Sequence, residues 1–186
     1  AKTLKSISWT AAQCGVTKPI IAAVNGLAAG GGLHFPADAD IVLASENARF
    51  TDPHVAVGLV SALEPIAMAR RMPLGAVLKL ALTGGAEKMS AQEAHRLGFV
   101  DEVLPLADLM PRARALAAMI ARYSPTAIAR TKAAIWGAKE MPMQEALQNG
   151  WRLILAQNSH PDFAEGVASF VEKRAPAWRD REPDDL

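Results

Sequence analysis

Three consecutive glycines, Gly30, Gly31 and Gly32, are the residues whose type and spacing most directly suggest chemistry in this sequence. They follow an apolar stretch typical of a strand and precede a short segment typical of a helix. The N–H groups at a helix start can hold an anion, and residues without a Cβ let a substrate carbonyl approach the backbone closely. The pattern therefore predicts an oxyanion site, in which the Gly31 amide faces negative charge that develops during a reaction.

Two other interpretations of these glycines stay open. The residues Gly26-x-Ala28-x-x-Gly31 also fit the dinucleotide-binding fingerprint, with Glu46 near the distance expected for an acid that binds ribose. The helix that follows would be short and would contain Pro36, which is a poor match to the longer helix of a Rossmann unit. The second alternative is a tight turn with a purely structural role, since glycine is common where the backbone bends sharply.

Motifs along most of the chain resemble those of the enoyl-CoA hydratase/isomerase (crotonase) superfamily. Lys18-Pro19 leads the strand before the glycines, and the other matching motifs follow in the order of the family. They are Gly26-x-Ala28-x-Gly30-Gly31-Gly32, residues 40–44 and 48–50, Pro53, Gly58, and residues 82–84, 90–94, 98–100 and 170–174.

The resemblance implies an α/β fold with a crotonase-like ββα-spiral core over residues 1–104. A C-terminal helical region over residues 105–186 would serve oligomerisation and contacts with coenzyme A. We also expect that an early part of the family's catalytic domain is missing, including the loop whose N–H supplies the second oxyanion donor.

The same resemblance implies a coenzyme A thioester as substrate, with its carbonyl oxygen held by the Gly31 N–H. It implies no tightly bound cofactor and no metal. Basic C-terminal residues of family members often meet the nucleotide end of coenzyme A, and Lys173 and Arg174 are the matching positions. A homotrimer or homohexamer is the expected assembly.

The sequence departs from the family where typical hydratases place their two catalytic glutamates. His34 stands at the first of these positions, and His54 stands at the second, directly after Pro53. An imidazole can accept or donate a proton near neutral pH, so both residues are candidates for proton transfer. The alternative for each is a packing or hydrogen-bonding role.

A second departure follows Gly58, where the family commonly has a glycine-rich turn and this chain has Ser61-Ala62-Leu63-Glu64-Pro65. Glu64 is a candidate general base, because burial in an apolar pocket would make its carboxylate more basic. Alternatively, an acid in the first turn of a helix stabilises the helix dipole. Asp52 is a weaker candidate, predicted to cap or turn its loop.

Two hypotheses for function follow. The first is an acyl-CoA-processing enzyme resembling enoyl-CoA hydratase, in which Gly31 stabilises an enolate and His34, His54 or Glu64 moves protons. The alternative is a non-catalytic subunit that binds a coenzyme A thioester or serves assembly, because both expected carboxylates are replaced.

Composition limits the choice of partners. The 186 residues are 51% apolar, and 20 basic and 19 acidic side chains leave a formal charge of +1, which gives no strong field for nucleic acid or anionic membranes. The single Cys14 cannot form an internal disulfide, and no apolar run approaches membrane-spanning length. We therefore expect a cytoplasmic protein that binds a small molecule.

The predicted elements alternate between strands and helices before the chain becomes wholly helical. Strands are predicted over residues 20–24, 40–44 and 100–104, with a brief extended piece over 48–50, and helices over residues 4–14, 32–37, 63–71, 75–82 and 90–97. Ser90 and Glu93 form a capping box, and Gly98 ends that helix. Further helices follow from Ala107, and Ser124-Pro125 begins one of them.

Overall fold

The structure is a computed structural model that describes residues 8–181. These residues form two compact units. Residues 8–16 and 20–117 make up the first unit, and residues 17–19 and 118–181 make up the second. The division into domains of residues 1–104 and 105–186 stays a prediction.

Short strands build two small sheets in the first unit. The strands are β1 (Ile21–Val24), β2 (Leu27–Ala29), β3 (Ile41–Ser45), β4 (Arg49–Thr51), β5 (Met89–Ser90) and β6 (Glu102–Leu104). The first sheet has the order β1-β3-β6 and is parallel throughout. In the second sheet, β2 pairs in parallel with β4, and β4 pairs antiparallel with β5.

The chain alternates between the two sheets. Strand β1 joins the first sheet and β2 joins the second, and the next two strands repeat this, so that β3 lies beside β1 and β4 lies beside β2. Ile21 lies opposite Ile41 in one sheet, and Ala28 lies opposite Phe50 in the other. A helical segment follows each pair of strands. This repeat is the ββα arrangement that the resemblance implies.

Helical segments connect the strands of the first unit. The α-helices are α1 (His34–Asp38), α2 (Leu63–Met68), α3 (Leu74–Leu82), α4 (Ala91–Arg96) and α5 (Leu106–Ile120), and two 3-10 helices cover Gly30–Leu33 and His54–Val57. The predicted start and end of α4 are confirmed. The Ser90 hydroxyl accepts a hydrogen bond from the Glu93 N–H at 3.1 Å, and Gly98 has a left-handed φ of +83°.

A buried apolar cluster holds these elements together. Leu33, Val42, Phe50, Met68 and Phe99 are fully buried in it. The rings of Phe50 and Phe99 meet edge to face with centroids 5.3 Å apart, a favoured arrangement for aromatic pairs. Because Phe50 lies in the middle of β4, its burial fixes the strand from which the next loop departs.

The second unit is helical. It contains α6 (Pro125–Gly137), a 3-10 turn over Ala138–Glu140, α7 (Met143–Asn158) and α8 (Pro161–Val171). The Ser124 hydroxyl accepts from the Ala127 N–H at 3.2 Å, and Pro125 occupies the first turn of α6, as the sequence predicts.

The segment after α8 lies against that helix. The Trp178 indole N–H donates to the Arg122 carbonyl at 2.7 Å, and the Ala177 N–H donates to the Glu165 carboxylate at 2.7 Å. A Cβ on Gly166 would lie 3.3 Å from the Trp178 ring. The absence of a side chain at Gly166 therefore lets the tryptophan pack closely on α8.

Three local features differ from the predictions. The helix predicted over residues 4–14 is wrong for residues 8–14, which form an isolated turn, and its first four residues lie outside the described residues. Gln13 accepts hydrogen bonds from the Trp9 and Thr10 N–H groups, and Gly15 ends the turn with a φ of +71°. A single turn gains too few hydrogen bonds to continue as a helix. Strands β2 and β5 also differ, since the sequence predicts no strand between Gly26 and Gly30 or at Met89–Ser90.

Among the helices of the described residues, none combines the length and the apolar character needed to cross a membrane.

Candidate active site

The glycine segment forms a 3-10 helix, Gly30–Leu33, between strand β2 and helix α1. Gly30 has a φ of +50°, and a Cβ there would lie 3.4 Å from Cε1 of His54. The left-handed backbone favours glycine at this position, and a side chain there would be in contact with the His54 ring. The segment therefore lies directly beside one of the two predicted proton-transfer histidines.

Gly31 is exposed, and a Cβ placed on it would meet no protein atom within 4 Å. The first N–H groups of a helix have no acceptor inside that helix. An exposed residue at a helix start, with no side chain and no protein atom near its Cβ position, fits an oxyanion contact through its amide. The dinucleotide interpretation fits less well, because the chain after Gly26 continues as strand β2 rather than opening into a long helix.

His54 is hydrogen-bonded to Asp52. The Nδ1 atom of its ring lies 2.6 Å from Oδ1 of Asp52, and its backbone N–H donates to the same oxygen at 3.1 Å. The Ser61 hydroxyl donates to the other carboxylate oxygen of Asp52. The Asp52 side chain is fully buried, whereas that of His54 is 24% exposed.

These contacts determine the charge of Asp52. Burial alone would raise the pKa of Asp52, but hydrogen bonds from Ser61 and from the backbone and ring of His54 outweigh this effect. The pKa of Asp52 therefore lies below its ordinary value. Asp52 is a buried anion with its hydrogen-bond donors supplied by the protein.

His34 and Glu64 form a second pair of an imidazole and a carboxylate. Nε2 of His34 lies 3.2 Å from Oε1 of Glu64, and both side chains are only 8% exposed. The Trp9 indole stacks on the His34 ring with centroids 5.6 Å apart and planes 7° apart. Glu64 lies in the first turn of α2, as predicted, but its carboxylate meets a buried histidine rather than water.

Three of the predicted site residues, His34, His54 and Glu64, thus fall into two groups of neighbouring residues. One contains Gly30, His54, Asp52 and Ser61, and the other contains His34 and Glu64. The sequence indicates Asp52 as a weaker candidate that caps or turns its loop, and the hydrogen bond from the His54 N–H confirms that turn, whereas Ser61 is not among the predicted site residues. An Asp two residues before a His is a usable signal for Asp52, because Asp side chains commonly accept from the backbone N–H two residues later. The Ser61 contact spans a loop and has no such local signal.

Lys173 and Arg174, the predicted coenzyme A contacts, lie in the second unit after α8. The Arg174 guanidinium donates to Glu165 at 2.9 Å and to Glu172 at 2.6 Å. Hydrogen bonds from Arg174, and then from the Ala177 N–H, lower the pKa of Glu165 to about 2. The charge of Arg174 is therefore already balanced by carboxylates of its own unit. Lys173, beside it, has a left-handed φ of +53°.

Across residues 8–181, no three His, Cys, Asp or Glu side chains gather as a metal-ligand set.

Comparisons with known proteins agree on one family. The family model described as enoyl-CoA hydratase/isomerase matches residues 5–181. A probable mitochondrial enoyl-CoA hydratase of Dictyostelium discoideum is 34% identical over 167 residues, which cover 89% of this chain and 60% of that protein. A carnitinyl-CoA dehydratase of Salmonella typhi is 37% identical over 173 residues, which cover 88% of this chain and 64% of that protein.

Solved structures give the same result. The crystal structure of an enoyl-CoA hydratase/isomerase from Mycobacterium paratuberculosis matches with a TM-score of 0.85 and 38% identity, over 89% of this chain and 65% of that one. This chain therefore spans less than two thirds of the length of these relatives.

Proposed function

Because the chain belongs to the enoyl-CoA hydratase/isomerase family, we propose that it forms an acyl-CoA-processing enzyme, a lyase resembling enoyl-CoA hydratase. The substrate is a coenzyme A thioester, and the reaction passes through an enolate. One observation carries the proposal: the Gly30–Leu33 helix start lies beside the His54 ring, and Gly31 is exposed with no protein atom within 4 Å of the position of a Cβ. A thioester oxygen at Gly31 would thus place its reacting carbons near a group that can exchange a proton.

The Gly31 amide stabilises the charge on the thioester oxygen. When water adds to the double bond of an enoyl thioester, the electron pair of the bond moves onto the carbonyl oxygen, and the enolate then takes a proton on carbon. Backbone amides aimed at that oxygen are worth about 3 kcal/mol each in a site shielded from water. This stabilisation lowers the barrier because the charge is larger in the enolate than in the substrate.

The two histidines move the protons. One imidazole takes the proton of the attacking water. The α-carbon then receives a proton either from this imidazolium or from a second protonated group that afterwards recovers the proton from the imidazolium, so that the protein ends each turnover unchanged. His54 is the more accessible of the two, whereas His34 is buried against Glu64. Imidazole suits both steps because it gains and loses a proton near neutral pH.

The test measures turnover of defined thioesters by the purified protein. Crotonyl-CoA, longer enoyl-CoA thioesters and carnitinyl-CoA are supplied, and the absorbance of the conjugated enoyl group is followed. Turnover of at least one thioester is expected, with losses in His34→Ala, His54→Ala and Glu64→Gln. Binding of all these thioesters without turnover would instead support the non-catalytic thioester-binding subunit, which the replacement of both glutamates favours.

Coenzyme A binding, assembly and location complete the proposal. Lys173 and Arg174 contact the nucleotide end of coenzyme A, and the protein is a cytoplasmic homotrimer or homohexamer. Because Glu165 and Glu172 already accept hydrogen bonds from Arg174, we expect Arg174 to contribute less to phosphate binding than Lys173. A Lys173→Ala variant with unchanged affinity for coenzyme A would count against this assignment.

A further inference from the structure

We propose that Asp52, held in place by Ser61, is a positioning residue that fixes His54 as its Nδ1–H tautomer. Nε2 is then the nitrogen of His54 that exchanges a proton with substrate or water. The catalytic consequence rests on the proposed function, whereas the tautomer itself does not.

The hydrogen bonds at Asp52 determine which ring nitrogen carries the proton. Oδ1 of Asp52 accepts the His54 backbone N–H, and a backbone N–H can only donate. The same oxygen lies 2.6 Å from Nδ1 of His54, while the Ser61 hydroxyl donates to Oδ2. An ionised carboxylate only accepts hydrogen bonds, so Nδ1 must carry a hydrogen, and in the neutral ring Nε2 then keeps its lone pair.

The surrounding elements keep this geometry rigid. Asp52 directly follows strand β4, and His54 begins the 3-10 helix His54–Val57. Ser61 lies two residues before α2, so its hydroxyl ties that loop to the same carboxylate. A ring held through both its own backbone and its side chain loses little further freedom when a substrate binds.

His34 is arranged in the opposite way. Glu64 meets Nε2 of His34, whereas Asp52 meets Nδ1 of His54. The two site histidines therefore offer different ring nitrogens, and only His54 combines a fully buried carboxylate partner with a partly exposed ring.

The tautomer can be read directly from a long-range ¹H–¹⁵N spectrum of the purified protein, recorded where the rings are neutral. The chain has 4 histidines, and two serve as internal references. Nδ1 of His95 lies 2.9 Å from the Val100 carbonyl, which can only accept, so His95 reports the Nδ1–H pattern. Nδ1 of His160 accepts from the Asp162 N–H at 3.2 Å, so His160 reports the Nε2–H pattern. Two signals then remain, those of His34 and His54, and a His54→Gln variant identifies which of them belongs to His54.

We expect His54 to match the pattern of His95. An Nε2–H pattern at His54 overturns the proposal whether or not any thioester is turned over. If no thioester is turned over but His54 matches His95, the proposed function fails while the tautomer assignment stands.

Variants of Asp52 then separate the effect of the His54 tautomer from the effect of the Asp52 charge. In Asp52→Asn, the amide oxygen stays on the His54 N–H, so the Nδ1–H tautomer persists without the negative charge. The expected result is about a tenfold fall in kcat with little change in KM, because a hydrogen bond to a charged partner becomes a neutral one. Unchanged kcat in this variant, with the Nδ1–H pattern retained, would show that Asp52 acts through the tautomer and not through its charge.

Two further variants complete the series. Ser61→Ala keeps the carboxylate and should lower kcat less than Asp52→Asn, with the His54 pattern retained. Asp52→Ala should give a mixture of both tautomers, and a pure Nδ1–H pattern there would contradict the role of Asp52. Asp38→Asn is the matched control, since Asp38 accepts the Ala12 N–H at 3.1 Å and belongs to neither group of site residues.

Discussion

Imidazole in place of carboxylate changes the charge that the site carries during turnover. A glutamate base becomes neutral when it takes a proton, whereas an imidazole becomes a cation. His34 and His54 each have a carboxylate within hydrogen-bonding distance, at Glu64 and Asp52 respectively. Each carboxylate would stabilise the cation formed on its histidine, so the replaced glutamates need not abolish proton transfer.

The first prediction at the scale of single residues concerns Gly31. A Gly31→Val side chain would occupy the open space at the Cβ position of Gly31 and keep a thioester from approaching the backbone there. We expect turnover to fall by more than about 100-fold, the effect of losing an oxyanion donor. Enoyl-CoA assays and thermal unfolding measure activity and fold separately. Gly75→Val is the control, since a Cβ at that glycine also meets no atom within 4 Å.

The second prediction at this scale concerns Glu64. Glu64→Gln keeps a hydrogen-bonding group beside His34 but removes the charge, so turnover should fall about tenfold while coenzyme A binding stays nearly unchanged. Steady-state kinetics and a binding titration are the measurements. Equal losses of binding and folding would indicate a structural role for Glu64. Exposed Glu46 provides the control, as Glu46→Gln should change neither quantity.

At the scale of elements, the stability of a short helix depends strongly on the hydrogen bonds at its ends. Helix α4 has 6 residues, and the Ser90 hydroxyl accepts the Glu93 N–H at its start. Ser90→Ala should lower the free energy of unfolding by about 1 kcal/mol, because one N–H loses its partner. Urea unfolding measures the change. Ser159→Ala is the control, because it removes only a 3.4 Å hydrogen bond from the Ser159 hydroxyl to the Leu155 carbonyl. If Ser159→Ala lowered the free energy of unfolding as much as Ser90→Ala, the capping explanation would be contradicted.

Local signals made most of these elements predictable. The caps at Ser90 and Ser124, the stop at Gly98 and the buried run of β3 each depend on neighbouring residues, and all are confirmed. Strand β2 was not predictable in this way, because its 3 residues become a strand only through pairing with β4.

The same distinction holds for the site. The glycines and both histidines could be singled out from motif positions. Not all of their hydrogen-bond partners could be identified from the sequence. Ser61 contacts Asp52 across a loop, and Glu64 contacts His34 from another helix. Long-range contacts of this kind leave no periodic pattern in the sequence.

At the scale of the whole molecule, the ion pairs of Arg174 with Glu165 and Glu172 predict that the fold loses stability in acid. The folded pKa of Glu165 is about 2, below its ordinary value of 4.5. A lowered folded pKa stabilises the fold above the ordinary value, and this stabilisation is lost as pH falls from 4.5 towards 2. Glu165→Gln should therefore be less stable than the parent at neutral pH, and the difference should vanish near pH 2.

Urea unfolding over this pH series measures that difference. Glu145→Gln is a suitable control because Glu145 is exposed on α7, and its effect should be small at every pH. A constant difference between Glu165→Gln and the parent down to pH 2 would show that the ion pair does not contribute to stability.

Assembly gives the last prediction. Leu147, Trp151 and Leu155 recur every four residues on α7, and Trp151 is 61% exposed. Such an apolar stripe suits a contact between copies of the chain. Light scattering should give a mass of three or six chains, and Trp151→Glu should lower it while Glu145→Lys should not. A monomeric parent protein would contradict the proposed assembly.

The stacking of Trp9 on His34 also has an optical consequence. Indole emission is quenched by a protonated imidazole in face contact, and the planes of the two stacked rings are nearly parallel, at 7°. The protein therefore has a fluorophore of its own beside one of its proposed proton carriers. A ligand that shifts the His34 ring, or changes its protonation, will alter the light that Trp9 emits, without any added label.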